Sequence, residues 1–95
     1  MAVYVDNWRQ QARLGAVESR WSHLIADGDE ELHAFAAALG LRRAWFQFDQ
    51  RHPHRGHYDV PEHVRHQAIT LGARPVSWRE LGAILRARRA GAGRA

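Results

Sequence analysis

Three times along this chain a capping oxygen stands three residues ahead of a glutamate, in Asp27-Gly28-Asp29-Glu30, Asp59-Val60-Pro61-Glu62 and Ser77-Trp78-Arg79-Glu80. This is the capping-box arrangement, in which a side-chain oxygen and a glutamate satisfy the free N–H groups of a first helical turn. An apolar stripe follows each one. Leu32, Phe35, Ala36 and Leu39 recur at i, i+3, i+4 and i+7, which predicts a helix over 30–39 that Gly40 ends. Val64, Ala68 and Leu71 predict a second helix from Pro61 to Leu71, with proline in its first turn and Gly72 closing it. Trp78, Leu81, Ile84 and Leu85 predict a third.

A β-prone run precedes each helix. Val3-Tyr4-Val5 stops at the turn formers Asp6-Asn7, Ala44 to Phe48 is short and aromatic, and Ala73 to Val76 gives a third run. Residues 8–20 scatter Trp8, Leu14 and Val17 around Gly15 and are expected to form a loop with little regular structure. Asp49 to Gly56 is a polar loop containing both strong breakers. Strand and helix thus alternate three times. That order argues for a small α/β domain of two or three layers, with three helices and a short sheet of about three strands, parallel where right-handed crossovers join them.

A length of 95 residues fits one domain, taken here as 1–85, followed by an Arg/Gly/Ala-rich flexible tail at 86–95. Without cysteine there is no disulfide framework, thiolate zinc knuckle or cysteine nucleophile, so packing alone must hold the core. Trp8, Trp21, Trp45 and Trp78 are expected to fill that core, because so small a domain needs its large apolar groups inside. The N-terminus has no signal-peptide character and no stretch approaches about 18 apolar residues, so a soluble cytoplasmic protein with no membrane partner is expected. All 14 basic residues are arginine, against 10 acidic ones, for a formal charge of +4. Four of them, Arg86, Arg88, Arg89 and Arg94, lie in the final RARRAGAGRA, which leaves the rest of the chain near neutral and weakens a nucleic-acid reading.

Several chemistries are excluded. Ser19, Ser22 and Ser77 lie outside any G-x-S-x-G elbow, and with no lysine there is neither a P-loop nor Schiff-base chemistry. Asp6, His23, Asp27, His33, His57 and Asp59 remain as candidate ligands for a divalent cation, since neutral imidazole and carboxylate suit zinc, manganese, iron or nickel. Asp6 falls at the carboxyl end of a strand, where open α/β sheets gather ligands, although Asp6-Asn7 also serves as a turn. Asp27 has a complete account as an N-cap. His57-Tyr58-Asp59 precedes the second helix, whose free N–H groups and dipole favour an anion, with Arg65 one turn in. Tyr58, Arg65, Arg42 and Arg79 are accordingly candidate ligand-binding residues. His52, His54, His63 and His66 read as incidental.

Val3-Tyr4-Val5-Asp6, His23-Leu24-Ile25-Ala26-Asp27, Glu31-Leu32-His33-Ala34-Phe35-Ala36, Trp45-Phe46-Gln47, His57-Tyr58-Asp59-Val60 and Leu71-Gly72-Ala73 together resemble a small bacterial and phage family, Domain of Unknown Function 4031. The resemblance runs from about Val3 to Leu81 and includes Arg65, Ala68 and Arg79. It implies a compact stand-alone domain, singles out Asp6, His23, Asp27, His33, His57, Tyr58 and Asp59, and implies no reaction. The chain departs from the family pattern at Trp21-Ser22, where members often carry Met-Cys, and in the longer loop from Gln50 to Arg55. The first departure argues against a required thiol, and the second against a shared role for His52 and His54.

The resulting expectation is a pocket of Asp6, His23, Asp27, His33, His57 and Asp59 that binds a divalent metal and a phosphate-bearing or nucleotide-like ligand, with hydrolytic chemistry. One alternative is a non-catalytic module whose arginine-rich surface binds nucleic acid or a protein. Another is a buried hydrogen-bond network that specifies the fold.

Overall fold

The computed structural model describes residues 2–92. In chain order the elements are β1 (Val3–Val5), β2 (Gln10–Leu14), β3 (Val17–Ala26), α1 (Asp29–Ala38), short 3-10 turns at Arg43–Trp45 and Pro53–Arg55, β4 (Tyr58–Pro61), α2 (Glu62–Thr70), β5 (Arg74–Pro75) and α3 (Trp78–Ala92). Among the described residues this makes a small α/β domain of three helices and a five-stranded mixed sheet. The sheet is larger than expected and only partly parallel. β3 is its axis, antiparallel to β1, β2 and β4, while β1 and β5 run parallel with Tyr4 opposite Arg74.

Two of the unexpected strands, β2 and the first part of β3, come from residues 8–20, where the sequence suggests a loop. They form a hairpin turning at Gly15, whose φ of 62° suits glycine. Most of the hairpin is exposed on both faces, so no face imposed the alternation by which strands are read. The run Ala44–Phe48 errs the other way. Arg43–Trp45 is a 3-10 turn, and only Gln47 pairs, in an isolated bridge to His57. Aromatic content expresses fit to a half-buried pleated surface, and this segment lies largely exposed. β4 is a further strand beyond those the sequence suggests: Asp59, which reads as a helix cap, lies inside it and pairs with His23.

The core lies on one face of the sheet. Val3 and Val5, Leu24 and Ala26, and Tyr58 and Val60 alternate onto it, and Leu32 and Ala36 of α1 and Val64 and Ala68 of α2 cover them. Each of those helical pairs is an i, i+4 pair, so each helix offers one apolar side. Gly40 and Gly72, with φ of 80° and 110°, end α1 and α2 in the left-handed region as expected. Arg88 of α3 reaches Asp29 of α1 at 3.2 Å. The helix runs through Ala92, inside the stretch expected to be a tail, and residues 93–95 of that stretch lie outside the described residues. No described helix is long and apolar enough to cross a membrane.

Of the three capping boxes only the last is built. Ser77 Oγ accepts the Glu80 N–H at 3.0 Å and Glu80 Oε1 accepts the Ser77 N–H at 3.1 Å. Asp27 does not cap α1; its carboxylate instead accepts the Ala2 N–H at 2.8 Å and the Tyr4 hydroxyl at 3.1 Å. Asp59 does not cap α2 either. Pro61 holds the cap position, and Ser19 Oγ from β3 accepts the Glu62 N–H at 3.2 Å. In both cases tertiary contacts displaced the local motif. The tryptophans depart from expectation too: Trp21 is buried, with its indole N–H donated to the Ala12 carbonyl at 2.9 Å, while Trp8, Trp45 and Trp78 are exposed.

Candidate functional site

The site begins at a mismatch between two strands. Val5 pairs with Leu24 but Gln10 pairs with Trp21, so five residue steps on one side match three on the other. The surplus residues loop out between Asp6 and Arg9, and Arg9 takes a left-handed φ of 48°. Such interruptions re-aim side chains, and here the residue affected is Asp6.

Asp6 is fully buried, and its carboxylate is held by donors alone. Oδ1 accepts the backbone N–H of His23 at 2.9 Å and that of Trp8 at 3.3 Å, while Oδ2 accepts Nδ1–H of His23 at 2.7 Å. An ionised carboxylate can only accept, so His23 carries its proton on Nδ1 and keeps Nε2 as the free nitrogen. The Asp6 carbonyl accepts Nε–H of Arg65 at 2.8 Å, which brings α2 to the same strand end.

β4 supplies the facing groups. His23 lies directly opposite Asp59 in the β3–β4 ladder, and period-two alternation puts His57 and Asp59 on the same side while Tyr58 and Val60 enter the core. The His57 ring stands at 76° to that of His23, with centroids 5.3 Å apart. His57 Nδ1–H donates to the Arg55 carbonyl at 2.8 Å, because a carbonyl only accepts, and this leaves Nε2 as the nitrogen on the Asp59 side. That Nε2 is 3.4 Å from Asp59 Oδ1. One ligand atom from each of His23, His57 and Asp59 falls within 4.8 Å of the others.

The charges are coupled. Partial burial lowers the His57 pKa, but the Asp59 carboxylate and the Arg55 carbonyl outweigh it and leave the imidazole above its ordinary value. The hydrogen bond from His57 holds Asp59 below the ordinary carboxylate value, against a smaller opposing effect of burial. Trp8 forms a wall with its ring 5.0 Å from that of His23. Nearby, Arg9 binds Glu62, with Nε to Oε2 at 2.7 Å.

The other candidates go elsewhere. Asp27 is tied to Ala2 and Tyr4, and His33 Nδ1 is 2.8 Å from the Tyr58 hydroxyl, beside Phe46. His33 and Tyr58 therefore belong to an aromatic cluster on the core side. Arg42 lies over Trp45 and Arg79 over Trp78, with guanidinium carbons 5.8 and 5.7 Å from the ring centres. Trp8 and the Arg55 carbonyl were missed as site groups. The carbonyl has no side-chain signature, but the polar–apolar alternation of His57-Tyr58-Asp59-Val60 could have placed His57 and Asp59 on one strand face. His52, read as incidental, lines an open cleft beside His57.

The model of a family described as "Protein of unknown function (DUF4031)" matches residues 3–88. No curated protein and no solved structure matches the chain.

Proposed function

The chain belongs to the DUF4031 family, and we propose that His23, His57 and Asp59 bind a divalent metal ion beside a site for a phosphate-bearing ligand.

The observation that carries this reading is that both histidines have Nδ1 already engaged, which leaves Nε2 as the ligating atom, on His57 already turned toward Asp59. Metal-ligating histidines characteristically donate their second ring N–H to a carboxylate or a backbone carbonyl, which fixes the tautomer and raises ligand basicity. Asp6 does this for His23 and the Arg55 carbonyl does it for His57. Two ligands at about 2.0–2.1 Å on a tetrahedral ion lie roughly 3.4 Å apart, close to the 3.4 Å between His57 Nε2 and Asp59 Oδ1. Two imidazoles and one carboxylate suit zinc, manganese or iron and leave a coordination position open.

Such an ion lowers the pKa of a bound water and polarises a phosphoryl oxygen. The reading therefore includes hydrolysis of a phosphate ester: the water oxygen bonds to phosphorus, the ester P–O bond breaks, and a proton from the water passes to the departing oxygen. Asp6 keeps His23 in the ligating tautomer, and Arg65 offers cationic charge at the same strand end. Metal-free protein titrated with zinc, manganese, nickel or magnesium tests the proposal. A rise in melting temperature with at least one of them is expected, because an ion that binds only the folded state stabilises it. An unchanged melting temperature with all four removes it.

A second reading, a non-catalytic nucleic-acid module, is favoured by the exposed pairs Arg42–Trp45 and Arg79–Trp78. It requires salt-dependent binding to single-stranded DNA or RNA.

A further inference from the structure

An open cleft of about 240 Å³ adjoins the three-residue cluster and is lined by Gln47, Phe48, Asp49, His52, Arg55 and His57. His57 belongs to both. It lines the cleft while its Nε2 faces Asp59, so a ligand seated in the cleft lies beside the cluster through His57. Arg55 has a double position as well, since its backbone carbonyl orients His57 while the residue lines the cleft.

The lining has two chemical ends. Phe48 is about half exposed and its ring lies nearly parallel to that of Phe46, with centroids 5.9 Å apart and planes 24° apart. Phe46 in turn packs on His33 and Tyr58, so the exposed ring rests on a fixed aromatic support. Gln47 beside it has an amide that can both donate and accept. The charged end differs. Asp49 turns Oδ1 toward the Arg51 N–H at 2.9 Å and lies 3.8 Å from the Arg51 guanidinium, while Arg55 has no carboxylate partner among the described residues.

We infer that this cleft binds a nucleoside monophosphate, with the base stacked on Phe48 and edged by Gln47 and the phosphate between Arg55 and the His23–His57–Asp59 cluster. An aromatic face accepts any planar base, a bidentate amide reads its edge, and a guanidinium matches a phosphate. At about 240 Å³ the open cleft is smaller than a pocket that encloses a whole ligand, so the nucleotide is held only in part, with its base open to solvent on the Phe48 side. The inference rests on the phosphate-binding part of the reading above but does not need the metal.

Calorimetric titration of the full chain with AMP and with ribose 5-phosphate, which lacks the base, tests it. AMP is expected to bind about tenfold more tightly or better, Phe48→Ala to erase that preference, and Arg55→Ala to weaken both ligands. A longer single strand binding more tightly than AMP, with the gain lost in Phe48→Ala, also supports the subsite and identifies a polynucleotide end as its source. Equal affinity for the two small ligands, no binding of AMP, or an unchanged preference in Phe48→Ala overturns it. Zinc titration of the same variants separates the two readings. Base preference without a zinc-induced rise in melting temperature removes the metal and leaves the cleft; the rise without the preference removes the cleft and leaves the metal.

Discussion

The Asp6 carboxylate accepts the Nδ1 proton of His23 at 2.7 Å from a fully buried position, so a group without solvent access decides which histidine nitrogen is left for a ligand.

Asp6→Asn tests that relationship. The carboxylate meets three N–H donors, and an amide must turn its own NH₂ toward one of them, leaving buried polar groups opposed. A loss of about 2–4 kcal/mol is expected in chemical denaturation, with a ten- to hundredfold loss of zinc affinity. Stability within about 0.5 kcal/mol of wild type would show that the buried network does not hold the site.

His23 and His33 separate site from scaffold. His33→Ala removes the partner of the buried Tyr58 hydroxyl and is expected to cost about 1–3 kcal/mol while sparing zinc-induced stabilisation. His23→Ala is expected to abolish that stabilisation. Thermal shift curves with and without zinc read both effects, and the opposite pattern assigns the ligand role to His33.

The pair of His57 and Asp59 gives a pH signature. His57, raised in the folded protein, contributes stability that is present below its unfolded pKa of about 6.5 and lost as pH rises through the higher folded value. Asp59, lowered, contributes stability that is present above about 3.8 and lost as pH falls through its folded value. The two overlap between about pH 4 and 6.5. In metal-free protein the stability difference between wild type and Asp59→Asn is expected to peak in that window at about 1 kcal/mol or less and to shrink toward pH 9. Zinc affinity should move the opposite way, strengthening with pH as the proton leaves His57 Nε2. A difference that grows from pH 6 to 9 contradicts the pairing.

Gly56 tests how the His57 loop is seated. Its φ of −56° suits any residue, but an added Cβ would lie 2.5 Å from Phe46 Cζ. Gly56→Ala is expected to cost about 1–3 kcal/mol by overpacking, and Phe46→Leu in the same chain to recover part of it. Additive losses in the double variant would place the strain elsewhere.

Ser77→Ala should cost about 1 kcal/mol, since Ser77 Oγ accepts the Glu80 N–H in a complete capping box. The same substitution logic predicts a much smaller effect of Asp59 on α2 than a cap would have, because Ser19 supplies that contact.

What the sequence determined by itself is local. The apolar pairs Leu32–Ala36 and Val64–Ala68, the stops at Gly40 and Gly72 and the box at Ser77–Glu80 all concern neighbours within about one helical turn, where spacing along the chain is distance in space. The choice among the six metal candidates was not local. Asp27 and Asp59 carry the same cap signal as Ser77, yet strand contacts claimed Asp27 for Ala2 and Tyr4 and set Asp59 opposite His23. His33 looked equivalent to His23 and His57 until α1 turned it toward Tyr58. Helix packing decides His33, and strand register decides His23 and Asp59, because a one-residue slip moves every side chain to the other face of the sheet. Here the surplus residues between β1 and β2 and the pairing of β3 with β4 brought Asp6, His23, His57 and Asp59 together.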